Sequence, residues 1–80
     1  MTIDVQLFAF YAEALGAKSI QIELPENATV EALMTAISRL PGASRLPPKP
    51  LVAVNLVYAR QDTRLKAGDE VALIPPVAGG

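Results

Sequence analysis

Hydrophobic and polar residues alternate along the first part of the chain, and this pattern predicts two strands. One alternating run extends from Ile3 to Phe10 and a second from Ile20 to Leu24. Because Phe8 and Phe10 make the second face of the first run apolar at its far end, we expect this strand to be central and covered on both sides. The two strands are close enough in sequence to form an antiparallel hairpin with a broad connection.

Two segments of the chain have the residue pattern of a helix. Tyr11 to Leu15 predicts a short helical turn, and Gly16 ends it because glycine readily adopts the left-handed conformation. Thr29 occupies the position of a helix N-cap, and apolar residues follow at intervals of three and four as far as Leu40. Pro41-Gly42 then ends what we predict to be the main helix.

The second half of the chain predicts a loop followed by three strands. Pro41 to Pro50 is rich in proline, glycine and serine, which favours an extended surface loop over a second long helix. Leu51 to Leu56 is nearly all apolar, as expected of a strand buried on both faces. A brief strand over Val57 to Ala59, a turn at Lys66 to Asp69 and a last strand over Val71 to Ile74 complete the order.

This order of elements predicts one domain over residues 1–74, followed by an extended tail over residues 75–80. A single amphipathic helix covers one face of a sheet, and as a crossover connection it allows the strands on either side of it to run parallel. The hairpins supply antiparallel neighbours. We therefore predict an α+β fold of the β-grasp, or ubiquitin-like, type, with a mixed sheet packed against one main helix.

Composition excludes much of catalytic chemistry. The 80 residues include no cysteine and no histidine, so the chain cannot form a disulfide, a thiolate or imidazole metal site, or a Ser-His or Cys-His nucleophile pair. The formal net charge is −1, which is a poor electrostatic match for a nucleic acid. No apolar run approaches the roughly 20 residues that span a bilayer, and no secretion signal is evident, so we expect a cytoplasmic protein.

The last six residues are the most informative segment for function. The double proline favours a stiff, extended backbone that projects roughly 18 Å from the sheet. Two glycines then present a terminal carboxylate with no Cβ beside it, which suits entry into a narrow pocket. An ionised carboxylate can attack the α-phosphate of ATP when a partner binds both. The candidate residues are Gly80 as the reacting terminus, Gly79 for access, and Pro75, Pro76, Val77 and Ala78 for partner contact.

Other candidate residues have structural interpretations. Asp69 and Glu70 are adjacent on a predicted strand and therefore point to opposite faces, which favours a turn over a pair of acid–base carboxylates. Asn55 is expected to make turn or backbone hydrogen bonds. The aromatic residues are expected to pack in the core or at a sheet edge rather than to stack on bases; they are Phe8, Phe10, Tyr11 and Tyr58.

Two segments carry a family resemblance: Val52 to Asn55, and Leu65 to Gly80, which reads LKAGDEVALIPPVAGG. Further matching residues extend the likeness over nearly the whole chain, at Leu7 to Ala9, Glu13, Gly16, Leu24-Pro25, Ala28 to Val30 and Leu33. These residues resemble the small subunits of molybdopterin synthase. The ending PPVAGG is the sharper motif, because thiazole-forming relatives usually lack the double proline. One departure is Ala12, where many members have arginine.

The resemblance implies a sulfur carrier that is not an enzyme on its own. Gly80 would be adenylated by an E1-like adenylyltransferase that uses ATP, and then converted to a thiocarboxylate. The large synthase subunit would receive the tail in a heterotetramer and convert cyclic pyranopterin monophosphate to molybdopterin. No cofactor or metal is implied for this chain, and neither a nucleic acid nor a membrane is implied as a partner.

Two alternatives stay open at this point. The chain can be a sulfur carrier for another pathway, such as thiamine, cysteine or tRNA thiolation. It can also be a ubiquitin-like interaction domain with an inert tail.

Overall fold

The computed structural model describes residues 1–46 and 50–75, which form a five-stranded mixed sheet packed against one main helix. Along the chain the elements are β1 (Thr2–Leu7), α1 (Phe10–Leu15), β2 (Ser19–Glu23), α2 (Val30–Ser38), a 3-10 helix (Ala43–Arg45), β3 (Leu51–Val54), β4 (Val57–Tyr58) and β5 (Glu70–Ile74). The β-grasp architecture expected from the sequence is confirmed.

The centre of the sheet is the parallel pair β1 and β5, and the strand order is β2-β1-β5-β3-β4. The other neighbours are antiparallel, including the predicted hairpin of β1 with β2. The strands on either side of α2, β2 and β3, run in the same direction but do not pair. The first and last strands of the chain are thus adjacent.

The hydrophobic core lies between α2 and one face of the sheet. Val30, Leu33 and Ile37 of α2 are buried against alternate residues of β1 and β5. Leu65, from the loop before β5, is also buried and donates its backbone N–H to the Ala28 carbonyl at 2.8 Å. As predicted, Thr29 caps α2, its Oγ1 accepting from the Ala32 N–H at 3.3 Å.

The prediction that β1 is covered on both sides is wrong. Its residues alternate strictly between exposed and buried, and the strand ends at Leu7. Ala9 has a φ of 51° and precedes α1, which begins at Phe10. Phe8 is 51% exposed, because α2 covers only the opposite face of the sheet, and Phe10 is 64% exposed at the start of α1.

Two predictions for the second half of the chain also need correction. The strand predicted to extend from Leu51 to Leu56 ends at Val54, since the next two residues form a turn that exposes Leu56. The predicted loop from Pro41 to Pro50 contains the 3-10 helix Ala43–Arg45, while residues 47–49 lie outside the described range. Within that range, no helix has the length and apolar character needed to cross a bilayer.

Tyr11 is the only one of the four aromatic side chains that is buried in the core. Its hydroxyl has no hydrogen-bond partner among residues 1–46 and 50–75. Burial raises the pKa of this hydroxyl above its ordinary value, because the charged phenolate is poorly solvated there.

We expect Tyr11→Phe to unfold at the same urea concentration as the wild type or a higher one near pH 7. Removing a buried hydroxyl without a partner avoids a desolvation penalty of about 1 kcal/mol or more. Above pH 10 the unfolded wild type loses the Tyr11 proton before the folded state does, so wild-type stability falls with rising pH relative to the variant.

Urea unfolding at pH 7 and at pH 10 to 11 checks this expectation. Tyr58→Phe, at an exposed site, is the control and should leave the urea midpoint at pH 7 unchanged. A marked destabilisation by Tyr11→Phe at pH 7 would show that the hydroxyl has a stabilising partner.

Candidate functional site

The face of the sheet opposite α2 is open, and its β1–β2 half is polar. Alternate residues of these strands point outward, and their cross-strand pairs include Asp4 with Gln21 and Thr2 with Glu23. The Gln21 amide donates to the Asp4 carboxylate at 3.0 Å, and the Thr2 hydroxyl donates to the Glu23 carboxylate. Water-exposed polar pairs of this kind are ordinary on an uncovered sheet face.

The other half of the open face is an apolar hollow of about 340 Å³. Its floor includes two small residues that are cross-strand partners, Ala53 of β3 and Ala72 of β5. Larger side chains surround them, so the centre of the face is recessed. These larger side chains are Phe8, Leu56, Tyr58 and Ile74.

The rim of the hollow is unusually exposed for large apolar side chains. Leu56 is 96% exposed and Tyr58 is 67% exposed, whereas buried Leu33 and Leu65 in the core are at most 1% exposed. A contiguous apolar surface of this kind, bordered by polar residues, is typical of a protein interaction site. The hollow is therefore a candidate docking surface.

Hydrogen bonds around Asn55 fix the hairpin that carries Leu56 and Tyr58. Asn55 Nδ2 donates to Asp69 Oδ1 at 3.0 Å, and Asn55 Oδ1 accepts from the Glu70 N–H at 3.0 Å. The other oxygen of Asp69 accepts from the Lys66 N–H at 2.8 Å. The turn roles that we predicted for Asn55 and Asp69 are thus confirmed, and they link the β3–β4 hairpin to the start of β5.

The last strand, β5, ends at the edge of the hollow, which Ile74 lines. Leu7 and Leu73 are cross-strand partners at the parallel ends of β1 and β5, so Phe8 and Ile74 follow at the same edge. Pro75 comes next and is the last described residue. The other predicted site residues, Pro76, Val77, Ala78, Gly79 and Gly80, lie outside the described residues.

A polar groove beside the start of α2 is a weaker candidate site. It is lined by Thr29, Glu31 and residues 60–62. The first amides of α2 already donate to loop carbonyls, Val30 to Thr63 at 2.9 Å and Glu31 to Gln61 at 3.0 Å. Anion binding by these amides is therefore blocked. Across residues 1–46 and 50–75, no group of three acidic side chains is arranged to hold a metal ion.

Comparison with known proteins decides the family, since residues 5–80 match the ThiS family. The chain belongs to this family. It is 38% identical to the molybdopterin synthase sulfur carrier subunit of Dictyostelium discoideum, over 95% of this chain and 93% of that protein. It is 36% identical to the subunit of the same name from Chlamydomonas reinhardtii, and both chains are covered completely.

Solved structures show the same fold. SAMP1 from Haloferax volcanii matches with a TM-score of 0.84 and 31% identity over all of both chains. A putative molybdopterin converting factor subunit 1 from Pyrococcus furiosus also has a TM-score of 0.84, with 30% identity over 96% of this chain and 99% of that one. The fold alone is shared with a Helicobacter pylori chain, from a complex of subunits 1 and 2 of molybdopterin-converting factor, at a TM-score of 0.72 and 23% identity over all of both chains.

The docking surface was missed by the sequence interpretation, which assigned its aromatic residues to core or edge packing. A signal was nevertheless present. Phe8 falls on the face of β1 that otherwise carries Thr2, Asp4 and Gln6, so the alternation itself places Phe8 away from the core. For Leu56, which follows Asn55 at the end of an apolar run, no alternation of polar and apolar residues indicates that the side chain is exposed.

We expect Asn55→Gly and Asn55→Ala to separate the two contributions of Asn55 to the hairpin. Glycine accepts the positive φ of 52° but loses the side-chain hydrogen bonds, and should lower the free energy of unfolding by about 1 kcal/mol. Alanine also disfavours that φ and should lower it by about 1 kcal/mol more. Urea unfolding checks this order, and equal stability of the two variants would contradict it.

Proposed function

We propose that this chain is the sulfur carrier subunit of molybdopterin synthase and that its sulfur is carried on the Gly80 carboxyl group. The observation that carries the proposal is the combination of family membership with a PPVAGG ending that follows Ile74, a residue of the apolar candidate docking surface. The curated relatives named above are sulfur carrier subunits of this synthase.

The proposed activation consumes ATP on an E1-like adenylyltransferase. The Gly80 carboxylate attacks the α-phosphate, forms an acyl-adenylate and releases pyrophosphate. Hydrosulfide supplied by the sulfur donor then attacks the acyl carbon and displaces AMP, which leaves a thiocarboxylate on Gly80. Gly79 and Gly80 have no side chains, so the acyl carbon is accessible from both sides. Because this step requires ATP, we propose that the protein acts in the cytoplasm.

The proposed acceptor complex pairs this chain with a large synthase subunit. We assign the hollow bounded by Phe8, Leu56, Tyr58 and Ile74 to that contact, since it is apolar, exposed and adjacent to the start of the tail. We propose that Pro75, Pro76, Val77 and Ala78, which follow Ile74 in the sequence, contact the same partner. The thiocarboxylate then supplies sulfur for the conversion of cyclic pyranopterin monophosphate to molybdopterin, in a heterotetramer with two copies of each subunit.

In this proposal the chain is a non-catalytic subunit. It contributes one activated terminal group and a docking surface, while the partners contribute the acid–base residues. The chain contains no histidine or cysteine, which is compatible with this division of roles.

Incubation with the cognate E1-like protein, ATP and a sulfur donor should replace one oxygen of this chain by sulfur. Intact-mass spectrometry detects that exchange, and fragmentation should place it on Gly80. A chain with one serine added after Gly80 should show no exchange, because its terminal carboxylate is displaced from the position that the partner activates.

The control for this experiment is thermal unfolding of the extended chain, which should equal that of the wild type if the tail adds nothing to the core. Exchange on the extended chain, or none on the wild type with active partners, would contradict the proposal.

Phe8→Asp should weaken binding to the large subunit by at least about tenfold, because it places a charge in the centre of an apolar contact. The free energy of unfolding should change by less than about 0.5 kcal/mol, as expected of a surface position. Isothermal titration calorimetry and urea unfolding measure the two effects.

Ser19→Asp is the matched control, since it adds the same charge on the polar half of the same sheet face. Equal affinities of the Phe8 and Ser19 variants would place the contact elsewhere.

A further inference from the structure

The hairpin between β3 and β4 contains a leucine in a backbone conformation that suits glycine. Its two loop residues, Asn55 and Leu56, have φ values of 52° and 70°. Two-residue loops with two positive φ angles are type I′ turns, in which asparagine followed by glycine is strongly preferred. A leucine at the second position is strained, because its Cβ approaches the following carbonyl oxygen.

Nothing within the described fold offsets this strain. Leu56 is 96% exposed, so its side chain contributes almost no packing. A single exposed leucine is ordinary on a protein surface. A leucine that is both exposed and held at positive φ is unfavourable on two independent grounds, and such outliers cluster at functional sites.

The surrounding hairpin holds Leu56 at a defined place on the rim of the hollow. Val54 and Val57 are cross-strand partners on either side of the turn. The Asn55 N–H donates to the Glu70 carbonyl at 2.8 Å, in addition to the side-chain bonds of Asn55. The tip is therefore ordered before any partner binds, which reduces the entropy lost on association.

The charge of the open face indicates what covers it. Asp4, Glu23 and Glu70 lie on this face, and the five strands contain no lysine or arginine. A second copy of this chain, docked through the same surface, would bring like charges together, which disfavours a symmetric pair. This charge pattern favours a different protein as the partner, with a complementary surface that is apolar and bordered by basic residues.

We propose that Leu56 is a partner-contact residue whose side chain enters an apolar pocket of the large synthase subunit. This inference rests on the function proposed above and adds to it one residue that the fold itself does not need. The contact is continuous with the hollow, and burial of the leucine side chain in the complex offsets the strain that it imposes on the free chain.

The test is Leu56→Gly, which creates the preferred Asn-Gly turn and removes the side chain. We expect binding to the large subunit to weaken by at least about tenfold in calorimetry. We expect the thermal midpoint of the free chain to stay the same or rise, since the strain is relieved. A single substitution that weakens binding without destabilising the fold is the signature of this proposal.

Val57→Thr is the matched control. Val57 is also exposed, but it alternates with Tyr58 along β4 and so points to the opposite side of the strand from the hollow. We expect this variant to retain wild-type affinity.

Two results would overturn the proposal. The first is an affinity of Leu56→Gly within twofold of the wild type, and the second is a clear fall in the thermal midpoint of that variant. If Phe8→Asp still weakens binding, the docking surface stands and only the role of Leu56 fails. If neither Leu56→Gly nor Phe8→Asp weakens binding, the proposed docking surface fails as well.

Discussion

The parallel pairing of β1 with β5 determines where the candidate docking surface of this protein lies relative to the end of β5. It places the first and last strands side by side, so that Phe8 and Ile74 leave the sheet at the same edge. The tail begins one residue later, next to the apolar hollow on the open face. Without this pairing Phe8 and Ile74 would not lie together on one apolar hollow.

A single covering helix has a direct consequence for the sheet. Val30, Leu33 and Ile37 of α2 bury one face, and the described part of the chain contains no second layer for the other face. The open face is therefore available for binding, and its small central residues, Ala53 and Ala72, leave room for a partner's side chains. A small domain with one core can in this way keep an apolar surface exposed while its stability comes from the opposite side of the sheet.

Periodicity predicted β1, β2, β5 and α2 well because each of them buries one face or stripe. The errors at the ends of β1 and β3 share one physical cause: Phe8 and Leu56 are apolar residues that the fold exposes, and a propensity argument assigns such residues to the core. Asn55 was correctly assigned to a turn, but the sequence does not show that Leu56 shares its positive φ. The PPVAGG motif, in contrast, can be identified from residue types alone, and the sulfur chemistry proposed for it stays a prediction.

The central claim is that sulfur reaches molybdopterin from the Gly80 thiocarboxylate of this chain. A single-turnover reaction tests it most directly: the cognate large subunit and cyclic pyranopterin monophosphate are mixed with this chain in its thiocarboxylate or its carboxylate form, without ATP or a sulfur donor. We predict that only the thiocarboxylate form yields molybdopterin. In that reaction this chain should be converted back to its carboxylate form. Equal product from both forms, or none from a thiocarboxylated chain that binds the large subunit, would contradict it.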